Sequence, residues 1–223
     1  MELDMTEPRV ELEHEFSLDI DYDPSRWLEL PPRWDTEEWQ DIDVWARSCA
    51  ELFWRAYGRD PEESGISFLA GVLRRFAEAF APEPFDTRVV LRMWEPTSMP
   101  LQLFTMVKPA QGDREETLRF LVGAEDPDAV EPPVVEPFRT ELLGEGLRAF
   151  RYLRQDDAPE VIAALRYAWR DEEVGADVVL WTATDDTAQV IRASQDIEEL
   201  AHKVSVAVWD LEPEDEASPD VQS

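Results

Sequence analysis

Between Val10 and Asp23 the chain alternates without a break. Val10, Leu12, His14, Phe16, Leu18, Ile20 and Tyr22 take the even positions, and Glu11, Glu13, Glu15, Ser17, Asp19, Asp21 and Asp23 take the odd ones. Successive side chains of an extended chain point to opposite faces, so this spacing predicts a strand over residues 10–22 with one apolar and one acidic face. A slip of one residue would turn every carboxylate toward the core, so the register is tightly specified. The apolar face needs a layer to rest on. The acidic face, Glu11, Glu13, Glu15, Asp19 and Asp21, is left for solvent or a basic partner.

Past Pro31-Pro32 the period changes. Asp35-Thr-Glu-Glu38 reads as a capping box, in which the Asp35 carboxylate accepts an amide of the first turn and Glu38 reaches back. It predicts a helix over 35–57, with Trp39, Ile42, Trp45, Cys49, Leu52, Phe53 and Ala56 on its buried stripe and Gly58 as its stop. Asp60-Pro-Glu-Glu63 predicts a second helix over 61–80, striped by Ile66, Leu69, Leu73, Phe76 and Phe80.

From Arg88 the period returns to two. Strands are predicted at 88–95, 101–108, 117–124, 138–143, 147–154, 161–170 and 176–184, joined by short turns such as Gly144-Glu-Gly146 and Asp171-Glu-Glu-Val-Gly175. Links this short suit antiparallel hairpins, because parallel strands need crossovers of a dozen residues or more. A last helix is expected over 186–206, with an internal capping box at Asp196 and Glu199 that would split it. The fold class is therefore α+β: an antiparallel sheet of six to seven strands, residues 88–184, covered by helices as an α/β/α sandwich. Residues 1–211 are expected to form a single domain. The run from Glu212, acidic, almost without apolar residues and broken by two prolines, reads as a disordered tail over 212–223.

The charge narrows the partners. Fifty-one acids against 21 bases give −30 at pH 7, and residues 1–41 alone carry 14 acids and 3 bases. A field of that sign repels nucleic-acid phosphate and anionic bilayers and favours a basic protein. The single cysteine excludes a disulfide within the chain, and there is neither a leader-like N-terminal pattern nor an apolar run long enough to span a bilayer, so a cytoplasmic address is expected. Nineteen arginines against Lys108 and Lys203 suggest a GC-rich bacterium.

The chemistry-bearing residues are sparse. His14 falls in the strand's apolar register, His202 beside Lys203 at a helix end, and Cys49 on a buried stripe, so packing explains each better than catalysis. Asp19-Ile-Asp-Tyr-Asp23 begins like a calcium loop but continues with Pro24 and has Leu30 at the twelfth position, which fails the ligand pattern. No glycine-rich phosphate cradle is present. Neither a metal nor a cofactor is expected, nor an enzyme.

The segment Val161-Ile-Ala-Ala-Leu-Arg-Tyr-Ala-Trp169, a tight turn, Val178-Val-Leu-Trp-Thr-Ala-Thr184, and then Asp185-Asp186 opening a helix that ends Leu200-Ala-His-Lys-Val204, resembles the closing hairpin and helix of Mog1/PsbP-like proteins. The resemblance extends over residues 86–208 and implies an α/β/α sandwich with an antiparallel sheet. It also implies a binding or assembly role without catalysis. The two helices at 35–80 and the acidic strand before them depart from the family plan, and no binding residue carries over.

The expectation is a non-enzymatic acidic protein-binding module: an adaptor, a secretion or assembly chaperone, or an immunity-like protein. Its contact residues would be Glu11, Glu13, Glu15, Asp19 and Asp21, with Trp34 as an aromatic anchor. One alternative is a small-ligand binder or enzyme whose cleft between sheet and helices is lined by Arg151, Tyr152, Tyr167 and Trp169. Another is a DNA mimic whose carboxylates imitate duplex phosphates. The partner's identity and the oligomeric state are open, as is whether strand 10–22 pairs within the chain or with another.

Overall fold

A computed structural model of the chain describes residues 14–31, 34, 36, 39–58, 60, 62–80, 87–154 and 161–210. Strand β1 (His14–Ile20) is followed by a short β2 (Trp27–Glu29), helices α1 (Ile42–Ala56) and α2 (Glu63–Ala79), and strands β3 (Thr87–Arg92) and β4 (Leu101–Pro109). Helix α3 (Arg114–Val122) then leads to β5 (Val134–Thr140), β6 (Gly144–Arg154), β7 (Val161–Asp171) and β8 (Ala176–Thr184), and α4 (Thr187–Ala201) and β9 (Val204–Asp210) complete the order. Strands β2 to β8 form one seven-stranded antiparallel sheet in the order β2-β3-β4-β8-β7-β6-β5, and β1 pairs with β9 in a separate ribbon. The fold is α+β, as the alternating and helical periods predict.

The alternation of the central strands divides the core between the two faces of the sheet. Leu103 and Val107 of β4, Leu180 and Val178 of β8, and Tyr167 and Trp169 of β7 are buried with Val190, Ala193, Ile197 and Leu200 of α4. Leu18, Ile20 and Val204 of the ribbon belong to the same cluster, so β1–β9 and α4 cover this face together. On the opposite face Leu118, Leu121 and Val122 of α3 pack on Ala149, Ala168 and Val179. The α1–α2 pair packs beside them, with Trp45, Trp54, Leu69 and Leu73 over Val89, Leu91 and Phe104. Burial of these side chains supplies most of the stabilisation, at roughly 1.5–3 kcal/mol for each large one.

Several boundaries differ from the sequence reading, each for a local reason. The strand predicted at 117–124 is α3. Asp113 caps it by accepting from the Glu116 amide, and Gly123 ends it in the left-handed region at φ 68°. The helix predicted to run to 206 stops at Ala201, and β9 begins at Val204 because β1 offers it a ladder, Ile20 to Val204 through His14 to Asp210. Asp196 does not split α4. Its carboxylate accepts from Arg92 Nε at 2.6 Å and also pairs with Arg26.

Helix α1 starts at Ile42 behind Asp41, which accepts the Val44 amide at 2.8 Å. Asp35 and Glu38 of the expected capping box lie outside the described residues. Leu52 of the expected stripe is exposed, and Ala46, Ala50 and Trp54 are buried instead. α2 starts at Glu63, two residues later than expected. The β5–β6 turn closes at Gly144, while Gly146 sits inside β6, where a Cβ would strike the Ala168 carbonyl and the Trp169 ring. The sheet is not a plain meander: β4 pairs with β8, since α3 carries the chain away from β4 to the far edge. Residues 10–13 of the first strand and the tail over 212–223 lie outside the described residues. No helix is long and apolar enough to cross a membrane among the described residues.

Candidate functional site

Two surfaces follow from this arrangement. The first is the outward face of the β1–β9 ribbon. With Leu18 and Ile20 turned to the core, Asp19 and Asp21 must face out, and their side chains are 73% and 79% exposed. Each meets one cation at 3.5 Å, Arg88 and Lys203 respectively. Pairs this exposed hold little energy and leave the carboxylates available. Opposite them in register β9 carries small residues, Ser205 across from Asp19 and Ala207 across from Ser17. Among the described residues β9 has β1 as its one strand neighbour, so its outer edge is unpaired.

Glu15 sits opposite Trp209 in the same ladder, whereas Glu11 and Glu13 lie outside the described residues. The strand pairs within its own chain. Trp34 is not on this surface. Its ring packs edge-on against the buried Trp45 at 5.2 Å, so the expected anchor is part of the α1–α2 core.

The second surface is a cavity of about 730 Å³ on the α3 face of the sheet. Its apolar wall is Met106, Leu121, Val179 and Trp181, with Phe120 at 78% exposure beside it. Trp181 is held flat against Phe104, the ring centres 5.2 Å apart. Arg151 and Arg166 enter from adjacent strands, β6 and β7. Arg151 Nη1 donates to the Gly123 carbonyl at 3.0 Å and pairs with Asp126 at 3.1 Å. The close approach explains the glycine: a Cβ at 123 would overlap the guanidinium.

The Arg151 Nε is buried with no hydrogen-bond partner. Among the described residues Arg166 makes a single hydrogen bond, Nη1 to the Leu121 carbonyl at 3.2 Å, and no carboxylate stands within ion-pair distance. Burial pulls both guanidinium pKa values down, and for Arg166 the Arg151 charge adds to the effect.

Of the four residues expected to line one cleft, only Arg151 lines this cavity. Tyr152, Tyr167 and Trp169 lie on the other side of the sheet in the α4 core, because they occupy the opposite phase of the β6 and β7 pleats. There Tyr167 and Trp169 stack at 5.8 Å, and burial pushes the Tyr167 phenol up to about 12. Sequence reasoning missed Arg166, although one arginine inside the apolar run Val161–Trp169 is a visible signal. It missed Trp181 and Phe120 because the cavity they line lies between the β4 and β8 strands and α3, which reads as a strand in the sequence.

Among the described residues no group of three His, Cys, Asp or Glu side chains is placed to hold a metal. The His202 ring packs on Phe138 at 5.1 Å, and Cys49 is half-buried against the α1–α2 core.

No protein-family model matches the chain, and no curated protein matches it. Among solved structures, the Ran-binding protein Mog1p of Saccharomyces cerevisiae is similar over 57% of this chain and 82% of its own, with 11% identity and a TM-score of 0.40.

Proposed function

We propose that the protein is a non-catalytic protein-binding module that docks a basic partner on the outward face of the β1–β9 ribbon. The observation that supports it is the combination of an unpaired β9 edge with exposed Asp19 and Asp21 one strand away, Asp19 separated from that edge by the small Ser205 and Asp21 held only by an exposed pair with Lys203. A strand added to β9 would stand roughly 10 Å from β1. Its outward Lys or Arg side chains would lean over Ser205 and Ala207 and meet the carboxylates, while backbone hydrogen bonds supply affinity. The surplus of 30 negative charges steers such a partner from a distance.

The test is affinity capture from the native cells at low salt, comparing wild type with a variant in which Glu11, Glu13, Glu15, Asp19 and Asp21 are Gln or Asn. The expected result is a basic protein retained by wild type alone, with an association rate that falls steeply toward 1 M salt, where screening acts within about 3 Å. The same protein retained equally by both forms, or binding indifferent to salt, overturns the reading.

A further inference from the structure

We propose that the cavity beside α3 binds a small amphipathic monoanion, an apolar body carrying one carboxylate, with Arg166 as the residue that receives the charge. The proposal is independent of the ribbon reading and uses the opposite face of the sheet.

The charge arithmetic inside the molecule points there. In a chain with 30 more acids than bases, a half-buried or buried arginine finds a carboxylate readily. Arg88 takes Glu29, Arg92 takes Asp196, Arg151 takes Asp126 and Arg170 takes Asp177. Arg166 stands among the described residues with one backbone carbonyl and no carboxylate within ion-pair distance, the Asp126 charge acting on it only from farther off. A guanidinium has five N–H donors, and partly removing it from water without acceptors is costly. The nearest acids do not fill the gap: Asp126 is engaged by Arg151, and Glu125 by Arg119 at 3.1 Å. An anion entering the cavity would complete the Arg166 shell, and the neighbouring Arg151 charge would strengthen its hold.

The rest of the wall selects the body of the ligand. Met106, Leu121, Val179 and Trp181 give a continuous apolar lining, and the exposed Phe120 adds an aromatic surface beside it. A volume of about 730 Å³ lies within the range of sites that take small organic molecules. A doubly charged phosphate is disfavoured, since Glu116, Glu125 and Asp126 also line the space. One charge on an apolar chain fits the donors present.

The experiment uses the full chain and three ten-carbon probes, decanoate, decanol and decylamine, titrated by calorimetry below their aggregation limits. Wild type is expected to bind decanoate at least tenfold more tightly than decanol, and decylamine not at all. Arg166→Gln is expected to lose that tenfold preference while keeping its decanol affinity and its melting temperature. Val179→Trp, which fills the cavity, is expected to abolish both. If Arg166→Gln does not fold, the wild-type ranking of the probes decides alone. No binding of decanoate at millimolar concentration, equal binding of decanoate and decanol, or an unchanged decanoate affinity in Arg166→Gln overturns the proposal and leaves Arg166 as a water-solvated side chain.

Discussion

Replacing Asp177 by alanine tests how the sheet holds α3. Asp177 is wholly buried in β8 and faces Arg170 across the β7–β8 ladder. The Arg170 Nε and Nη2 donate to its two oxygens at 2.7 and 3.0 Å, and the same guanidinium donates to the carbonyls of Gln111 at 2.7 Å and Gly112 at 2.9 Å, just before α3. Removing one partner of a buried pair leaves an uncompensated charge and costs about 3–5 kcal/mol. Because two carbonyl acceptors remain, the lower end applies, about 3 kcal/mol. For a chain of this size that lowers Tm by roughly 6–12 °C.

Urea unfolding followed by far-ultraviolet circular dichroism would read the loss as a lower midpoint at unchanged slope. Amide exchange should rise first at residues 111–116, where Arg170 releases the loop. The double variant Arg170→Met with Asp177→Leu removes both charges and should be less destabilised than Asp177→Ala alone. A loss under about 1 kcal/mol would refute the reasoning, since it would make this pair equivalent to a solvated surface contact.

Gly123→Ala should cost about 2–4 kcal/mol, because the position has φ 68° and a Cβ there overlaps Arg151; urea unfolding checks it, and wild-type stability would mean that Arg151 can move aside cheaply. The buried Tyr167 phenol ionises later in the folded chain than in the unfolded one, so its contribution is complete below pH 10 and fades as pH rises toward about 12, roughly 2–3 kcal/mol in all. Urea midpoints at pH 9 and 11 should therefore diverge less in Tyr167→Phe than in wild type. Val204→Asp places a carboxylate at a wholly buried ribbon position and should lower stability by at least 3 kcal/mol, detaching β1 and β9 together in exchange experiments.

What the sequence disclosed and what it hid divide along local and non-local lines. The β1 alternation holds residue by residue from Leu18 to Asp21, since burial on one face imposes it. Strands β4, β7 and β8 lie within a residue or so of their predicted bounds because their apolar phases are strong. α3 was hidden because its pattern, Leu118, Leu121 and Val122, is too short to separate helix from strand; the Asp113 cap and Gly123 stop were the better signals. β9 was hidden because Val204 and Val208 continue the three/four spacing of Ile197 and Leu200 in α4, and only the distant partner β1 makes the segment a strand. The cavity was half legible: Arg151 could be named, but assigning Tyr152, Tyr167 and Trp169 to the same cleft required ignoring the pleat.

The β1–β9 ladder also sets a timetable for synthesis. Leu18 lies opposite Val206, so the partners are made roughly 190 residues apart, which at ribosomal rates of about 5–20 residues per second is on the order of 10–40 s. Throughout that interval β1 waits outside the ribosome without its hydrogen-bonding mate, beside sheet strands that have already begun to pair. Its odd-numbered carboxylates then repel other copies of the same nascent strand on neighbouring ribosomes. The acidic row proposed as a docking surface in the finished protein thereby guards the unfinished one.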